Sequence, residues 1–468
     1  MRLRAIGVAI ISVLAVWCGA PAVFAQNTNN TNNNNNTNGG NVSAAGIAVD
    51  AAGVLKMNWV LDRSGAQTRM RVESARKFSD PVAWRKSPLR KISLNRLEAA
   101  VAARLQSGAK PTEEMRNLVG LTRIQYVFFY PETNDVVIAG PAEGWAEDLS
   151  GRVRGVESGR PVILLEDMVV ALRAYPPQAR GASVIMCSID PTQQGLANLQ
   201  EFLRRVGRVN PPPEPVLVRG LRDSLGMQVI TIAGISASTH FAQVMVEADY
   251  RMKLIGIGLE RPRTRIPSYV EVANARAIAQ NALQRWYFVP NYECVRVSED
   301  ELGMELVGNG VKLIGEDEFV ARDGQRVEGK TESPASRKFT EAFTAKYGEL
   351  ADEIPVYAQL RNLIDASIAA AFIQQQDYYG KAGWLMDVFG KEASFPVETA
   401  NAPKQVESAV ASYRKGNTLV TPIGGGVEIR ATLALNSERR LRDEQGAVSQ
   451  QRAAIQTGQL ANDQWWWD

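Results

Sequence analysis

Residues 183–206 read SVIMCSIDPTQQGLANLQEFLRRV, and this stretch decides the class of fold. Its first seven residues are mostly apolar and predict a short strand, while Asp190, Pro191 and Thr192 predict a turn. Apolar side chains then recur with the spacing of one helix face, at Leu196, Leu199, Leu203 and Val206. A strand followed by a helix predicts layered α/β or α+β packing rather than an all-helical or all-β fold.

The same alternation of strands and helices extends outward in both directions. Upstream, Ser93 caps a predicted helix that ends near Leu105, and a predicted hairpin joins Ile124–Tyr130 to Val136–Ala139. Downstream, the pattern predicts a strand over Gln228–Ala233 and a helix capped by Ser238 or Thr239, then an alanine-rich helix from about Tyr269 to Leu283 and a helix opened by Pro355.

Two glycine-rich turns predict further hairpins. Gly308-Asn309-Gly310 separates Met304–Val307 from Val311–Ile314, and Gly424-Gly425-Gly426 separates Thr418–Ile423 from Val427–Leu433. Neither glycine cluster lies between a strand and a helix with a following Gly-Lys-Ser/Thr, so the sequence predicts no nucleotide site.

Shifts in composition divide the chain into six parts and predict a multi-domain protein. They are a signal peptide (1–25), an Asn-rich disordered spacer (26–41), an α+β domain (42–175), an α/β domain (181–330), a helical region (335–390), and a hairpin with a polar tail (391–468).

The first 25 residues have the pattern of a cleavable export signal. Arg2 and Arg4 precede an apolar run that ends near Trp17, and Val23-Phe24-Ala25 supplies small residues at positions −3 and −1. An uncleaved membrane anchor is disfavoured because Gly19 and Pro21 interrupt the run, which falls short of the roughly 20 apolar residues of a span. We therefore expect an exported protein, located in the periplasm, at the cell surface or in the medium, with no transmembrane span in the mature chain.

Charge and cysteine content restrict the classes of partner and of stabilisation. The formal net charge is only +3, which gives no electrostatic reason to expect nucleic acid as a partner. After removal of the signal, Cys187 and Cys294 remain, and they are either one disulfide or two buried free thiols.

Three stretches resemble a known family: DVVIAGPAEGW…GRVRGVESGRPVILLEDMVVALRA (135–174), HFAQVMVEADYRMKLIGIGLE (240–260) and PVYAQLRNLIDASIAAAFI (355–373). They are similar to a family of secreted planctomycete proteins known only as a domain of unknown function, over most of the chain from about Val42 to Leu433. The resemblance implies export and a shared fold, and it implies no activity, cofactor or catalytic residue.

Few residues are candidates for catalysis. The single histidine, His240, excludes sites that need several histidine ligands. A Ser-His-Asp arrangement could use Ser236 or Ser238 with Asp249 or Asp190, but no Gly-x-Ser-x-Gly elbow is present. Glu166 and Asp167 are interpreted as helix-start acids rather than as catalytic groups. We therefore assign no catalytic residue, no metal and no cofactor.

Acidic clusters leave one enzymatic alternative open. They are Glu247-Ala248-Asp249, Glu299-Asp300-Glu301 and Glu316-Asp317-Glu318, and the last two are predicted at strand ends. Paired carboxylates could serve an envelope hydrolase of glycosidase type, whereas none matches a calcium loop.

The last residues, Trp465-Trp466-Trp467-Asp468, are a candidate contact surface. Three consecutive indoles are not expected to face one core together, and exposed aromatics often mark contacts with a partner. The alternative is a tail folded back on its own domain. The sequence thus favours a non-enzymatic binding or structural protein of the envelope or extracellular space, with a protein or polysaccharide partner. The alternative is a hydrolase that uses carboxylates or, less favoured, His240.

Overall fold

The computed structural model describes residues 42–468 except 63, 207–213, 274–281, 321–325, 329–332, 411–412, 416, 420–422, 456, 458–459 and 462. The predicted signal peptide and Asn-rich spacer lie outside the described residues. The remainder, Asn41–Asp468, forms one compact unit.

The strands, in chain order, are β1 Val42–Val49, β2 Val54–Leu61, β3 Ser87–Ser93, β4 Tyr126–Tyr130, β5 Asp135–Ala142, β6 Trp145–Glu147, β7 Val153–Gly155, β8 Ile185–Pro191, β9 Met227–Ala233, β10 Ala282–Pro290, β11 Val295–Val297, β12 Gly303–Leu306, β13 Val311–Val320, β14 Arg326–Glu328, β15 Gln405–Glu407, β16 Tyr413–Lys415, β17 Asn417–Leu419, β18 Ile423–Ile429 and β19 Trp466–Trp467.

The helices are α1 Ala66–Phe78, α2 Leu94–Gln106, α3 Glu113–Arg116, α4 Leu165–Ala174, α5 Gln193–Val206, α6 Glu214–Leu225, α7 His240–Gly256, α8 Tyr269–Val272, α9 Pro334–Ala345, α10 Tyr347–Glu353, α11 Pro355–Gln375, α12 Tyr378–Ala382, α13 Ala431–Ala434 and α14 Ala447–Ala453, with a 3₁₀ turn at Leu118–Gly120.

Two large sheets organise these elements. The nine-stranded sheet has the order β1-β2-β15-β9-β8-β18-β10-β13-β14 and is mixed, because β18 runs parallel to β10 and β15 runs parallel to β2. The six-stranded sheet has the order β11-β12-β4-β5-β3-β19 and is antiparallel. The predicted mixed, layered fold is confirmed. Both sheets take strands from the predicted regions 42–175, 181–330 and 391–468, so each sheet crosses the predicted boundaries.

Local signals placed several elements correctly. The β4–β5 hairpin forms as predicted. Ser93 accepts a hydrogen bond from the Arg96 amide at the start of α2, and Thr239 accepts one from the Ala242 amide at the start of α7. Pro355 occupies the first turn of α11. In each case the deciding interaction lies within a few residues of the signal, which is why the sequence pattern sufficed.

The predicted hairpin through Gly308-Asn309-Gly310 is wrong. β12 pairs with β4 and β11 in the six-stranded sheet, whereas β13 pairs with β10 in the nine-stranded sheet. Gly308 and Gly310 both have positive φ, 71° and 69°, so the turn chemistry was recognised correctly. The chain uses that turn to pass from one sheet to the other instead of folding back on itself.

The predicted hairpin around Gly424-Gly425-Gly426 is also wrong, because all three glycines lie inside β18. This strand is central, with β8 on one side and β10 on the other. A Cβ atom on Gly425 or Gly426 would collide with the backbone of Trp286 or Cys187, so close approach of the neighbouring strands requires glycine here. Of the alanine-rich helix predicted from Tyr269 to Leu283, the described residues contain only α8, which ends at Val272, and β10 begins at Ala282; residues 274–281 lie outside the described residues.

Helices cover both faces of the nine-stranded sheet, and the sheet separates two hydrophobic cores. Leu283 of β10 belongs to a small cluster with α5 and α6, while Trp286 of the same strand packs against Phe339 of α9 on the opposite face. Helix α7 contacts β8 and β18 on one side and α4 and α11 on the other. Helix α11 is buried from Val356 to Ile373. These two helices bring polar side chains into the interior, and the candidate site is built around them.

Candidate functional site

Helix α7 buries charged side chains along its length. It packs against β8 and β18 of the nine-stranded sheet and against α4 and α11, and these contacts shield most of its length from solvent. Glu247, Asp249, Arg251 and Lys253 are each at most 4 % exposed. Charges buried to this degree are tolerated only when they are paired.

Lys253 neutralises Asp249 one helical turn away. Its Nζ lies 2.9 Å from Asp249 Oδ2 and also donates to the backbone carbonyls of Ile189, at 2.7 Å, and Gly425, at 3.2 Å. Burial raises the pKa of the Asp249 carboxyl to about 6, and the Lys253 charge opposes that rise. The ammonium thereby connects α7 to strands β8 and β18.

A second set of charges forms a chain of alternating sign. Arg152, which precedes β7, binds Glu247 through Nη2; Arg251 Nη1 lies 3.5 Å from Glu247 Oε1, and Arg251 Nη2 lies 2.6 Å from Glu260 Oε1. Arg152 also donates through Nε to Gln359 Oε1 of α11 at 2.7 Å. Burial raises the pKa of Glu260, and the Arg251 charge opposes that rise. The chain holds the loop around β7 against α7 and α11.

His240, the first residue of α7, pairs with Asp167 in the first turn of α4. His240 Nδ1 lies 3.0 and 2.9 Å from the two carboxylate oxygens of Asp167. Burial by itself lowers the His240 pKa, but the charge and hydrogen bond of Asp167 and the charge of Glu166 raise it to about 9. The imidazole is therefore protonated at neutral pH and cannot accept a proton as a general base.

The structure does not bring together the Ser-His-Asp arrangement that the sequence left possible but disfavoured. Among the described residues, neither Ser236 nor Ser238 is hydrogen-bonded to His240. Asp249 is held by Lys253, and Asp190 is held by Arg285 at 3.2 Å. Asp167 lies in the first turn of α4, as interpreted from the sequence, but its pairing with His240 was missed. No local pattern links the starts of two helices so distant in the chain.

Helix α11 adds a polar stripe next to this pair. Asn362 donates to the Thr122 carbonyl at 3.1 Å, and Asp365 Oδ2 accepts from Arg123 Nε at 3.0 Å. Burial raises the Asp365 pKa, and Arg123 opposes that rise. A cavity of about 10 Å³ lies beside Asp167, Gln359 and Asn362, with apolar side chains on its other sides. It has room for about one water molecule and none for a substrate.

An open cleft lies apart from this buried network, where the α4–β8 connection, the end of α11 and the β18–α13 junction meet. Its volume is about 430 Å³, within the usual range for small-molecule sites of roughly 300 to 1,000 Å³. It is lined by Ala179, Arg180, Gly181, Ala182, Ser183, Gln374, Arg430, Thr432 and Leu433.

One wall of the cleft is fixed by hydrogen bonds, and its rim carries arginine side chains. Gln374 Nε2 donates to the carbonyls of Pro176, at 2.6 Å, and Ala179, at 3.0 Å, which fixes the loop that carries Arg180. Arg180 is exposed and has no ion pair among the described residues, whereas Arg430 is bonded to Glu428. The arrangement can bind an anionic group through a guanidinium. The sequence offered no signal for it, because its residues come from three distant segments.

Cys187 and Cys294 are both buried free thiols, so of the two predicted alternatives the structure has the unbridged one. Cys187 lies in β8 of the nine-stranded sheet, and Cys294 directly precedes β11 of the six-stranded sheet. Burial raises the Cys187 pKa and raises that of Cys294 to about 12, which keeps both thiols protonated and unreactive.

The tryptophan segment folds back on the protein. Trp466 and Trp467 form β19 and pair with Ile92 and Lys91 of β3. Asp468 Oδ1 lies 2.7 Å from Nε of the fully buried Arg90, whose guanidinium also stacks on Trp466 at 4.9 Å. Trp465 is buried, whereas Trp466 and Trp467 are half-buried. A contact role for the latter two stays a prediction.

Of the two remaining acidic clusters, Glu299-Asp300-Glu301 follows a strand end, that of β11, as predicted. Asp300 and Glu301 form ion pairs with Arg452, at 2.8 Å, and Arg440, at 3.4 Å. Residues 316–318 lie within β13 rather than at a strand end. Within the described part of the chain, no group of three or more His, Cys, Asp or Glu side chains could hold a metal ion.

Comparison with family models finds one match: the family described as "Protein of unknown function (DUF1598)" matches residues 187–269. The match runs from β8 to the start of α8 and contains all of α7. It confirms the expected domain of unknown function and includes one of the three stretches that carried the resemblance, 240–260. Comparison with curated proteins and with solved structures gives no match. Across the described ranges, no helix is both long and apolar enough to cross a membrane.

Proposed function

We propose that this is an exported binding protein of the envelope or extracellular space, without catalytic activity, and that the cleft beside Arg180 is its ligand site. The observation that carries the proposal is the contrast between the cleft and the buried network. The buried acids of α7 are all neutralised from within the protein: Glu247 by Arg152 and Arg251, and Asp249 by Lys253. The Arg180 guanidinium faces solvent without an ion-pair partner among the described residues.

The ligand class follows from the lining of the cleft. Arg180 supplies positive charge, Ser183 and Thr432 supply hydroxyl groups, and Leu433 supplies an exposed apolar surface, while Arg430 is already paired with Glu428. These groups suit a small carboxylate- or phosphate-bearing molecule such as an acidic saccharide fragment. The support for export remains the signal pattern of residues 1–25.

Binding can be tested by calorimetric titration with oligogalacturonate and with sugar phosphates. Replacing Arg180 by Gln removes one charge-assisted contact and is expected to weaken binding by about ten- to a hundredfold. Arg261→Gln is the matched control, because Arg261 is exposed and unpaired among the described residues but distant in sequence from the cleft. Absence of binding by the unchanged protein, or an equal loss in both variants, contradicts the assignment of the cleft.

Export can be tested separately by fractionating the producing cells and measuring the mass of the recovered protein. Cleavage after Ala25 and absence from the cytoplasm are expected. A cytoplasmic protein that retains residues 1–25 contradicts the proposal.

A second candidate function is an envelope hydrolase, and the His240–Asp167 pair is the observation that favours it. An aspartate on Nδ1 orients the ring in the same way as in hydrolytic dyads and leaves Nε2 without a hydrogen-bond partner among the described residues. With a pKa near 9, the imidazolium could donate a proton. Loss of hydrolysis of cell-wall glycans or esters in folded His240→Gln would favour this alternative over binding alone.

A further inference from the structure

Helix α1 has an outer face whose side chains make no hydrogen bond or ion pair with any described residue. None of its thirteen residues is buried, and its N-cap, Gly65, makes no side-chain cap. Side-chain hydrogen bonds at Asp62 and Arg71 tether it: Asp62 accepts from Thr68, and Arg71 donates to Glu147 and to the Asp148 carbonyl. An isolated helix of this length is marginal in water, and burial of an apolar face usually supplies its stability. In α1 no apolar side chain is buried, so this stabilisation is small.

The outer face is defined by helix geometry. With about 100° per residue, Arg69, Met70, Glu73, Arg76 and Lys77 fall within roughly 120° of the circumference. The two partly buried residues, Val72 and Ala75, lie on the other side with the tethering residues. Three cations, one acid and a methionine therefore point away from the protein together.

Exposed apolar side chains accompany these charges. Met70 is 68 % exposed, Phe78 at the end of α1 is 86 % exposed, and Val82 in the following turn is 47 % exposed. Single exposed apolar residues are ordinary, but three large ones lie within thirteen residues of chain here. On the same helical wheel Phe78 lies about 80° beyond Met70, next to the charged face.

The same segment keeps an excess of about two positive charges after its own acids and the paired Glu147 and Glu157 are counted. Residues 66–86 contain six Lys or Arg and two acids, a net charge of +4. Arg71 and Lys86 are paired with Glu147 and Glu157, at 3.1 and 2.9 Å. The other four cations have no ion pair among the described residues; they are Arg69, Arg76, Lys77 and Arg85.

We propose that α1 and the turn to Lys86 dock on an anionic phospholipid surface. The cations match the headgroup charge, and Met70, Phe78 and Val82 enter the boundary between headgroups and acyl chains. An acidic polysaccharide would satisfy the cations but offers no apolar phase for Phe78, so the lipid surface fits both properties. The docking is peripheral, and it does not depend on the cleft or on its ligand.

The test is co-sedimentation of the purified protein with vesicles of phosphatidylcholine alone and of phosphatidylcholine with about 30 % phosphatidylglycerol, at low and high salt. Binding to the anionic vesicles that weakens with salt is expected. Each basic residue near such a surface contributes about 1 kcal/mol, so Arg76→Gln/Lys77→Gln should lower the partition coefficient roughly thirtyfold. Phe78→Ser should also lower it, at both salt concentrations.

Matched controls separate docking from general charge and hydrophobicity. Lys110→Gln/Arg261→Gln removes two other exposed cations, and Leu385→Ser removes another exposed apolar side chain, which is 61 % exposed. Controls that bind as the unchanged protein does, with unaltered melting temperatures in all variants, support the proposal. The proposal is overturned if the protein does not bind anionic vesicles or if the control variants lose as much binding. It is also overturned if the protein binds soluble polygalacturonate but not vesicles, and if replacing Arg76 and Lys77 weakens that binding.

Discussion

Removing the charge of Asp167 tests the electrostatics of the α4–α7 junction directly. In the protein, burial lowers the His240 pKa, while Asp167 and Glu166 raise it to about 9 from an ordinary value of 6.5. Asp167→Asn keeps the shape and removes the charge, so we expect the His240 pKa to fall to 6.5 or below. Because the chain has one histidine, its ring resonance in a tag-free sample titrates without overlap.

The same pair sets a pH dependence of stability. The His240 pKa is higher in the folded protein than in the unfolded chain, so protonation of His240 stabilises the fold. This stabilisation is complete below about pH 6.5 and is lost as the pH rises through about 9. A shift of this size corresponds to about 3 kcal/mol. Since the His240 side chain is 27 % exposed, solvent screening reduces this to about 2 kcal/mol.

Urea unfolding from pH 6 to pH 10 measures the effect. Asp167→Asn should be destabilised by about 2 kcal/mol at pH 6, and the difference should shrink towards zero at pH 10. Asp387→Asn is the control, since Asp387 pairs with Lys391 on the surface and should change the free energy by less than about 0.5 kcal/mol. A His240 pKa near 6.5 in the unchanged protein, or a difference independent of pH, would refute the reasoning.

Three further outcomes follow from buried groups. Lys253→Met should lower the free energy of unfolding, measured in urea, by about 3 to 5 kcal/mol, because it leaves the buried Asp249 without its counter-ion. The double variant Lys253→Met/Asp249→Leu should recover most of that loss. Deleting residues 465–468 should lower the free energy of unfolding by a similar amount, because it removes the ion-pair partner of the fully buried Arg90 guanidinium. An unchanged melting temperature would contradict this. In the chain without residues 1–25, Cys187 and Cys294 should titrate as two thiols after denaturation without reductant and as none in the native state. No thiol after denaturation would indicate a disulfide.

The sequence predicted what depends on near neighbours. Caps at Ser93 and Thr239 and the β4–β5 hairpin are decided within a few residues, and they formed as expected. The turn at Gly308–Gly310 was predicted correctly, but the pairing of the two strands that flank it was not. Whether two strands that flank a turn pair with each other depends on which sheet can bury their apolar faces, and that choice is made by distant residues.

The site was less predictable for the same reason. His240 was recognised as the one candidate histidine, yet Asp167, its partner, lies on another helix and looked like an ordinary first-turn acid. The cleft combines backbone and side chains from three segments that share no sequence pattern. Helix α11 carries Arg361, Asn362 and Asp365 among apolar residues, and sequence periodicity cannot reveal that all of its faces are covered.

The three consecutive glycines illustrate how one pattern serves an unanticipated purpose. In β18 they let the backbones of β8 and β10 approach closely, and Gly425, at φ 113°, adopts a conformation that other residues rarely reach. Its carbonyl accepts a hydrogen bond from Lys253, which also binds Ile189 of β8. A buried ammonium is expensive unless its three protons are all bonded, and here a carboxylate and two carbonyls receive them. Through the Gly425 carbonyl, a glycine sequence that is typical of a turn thus helps to hold a buried ammonium that joins α7 to the centre of the sheet.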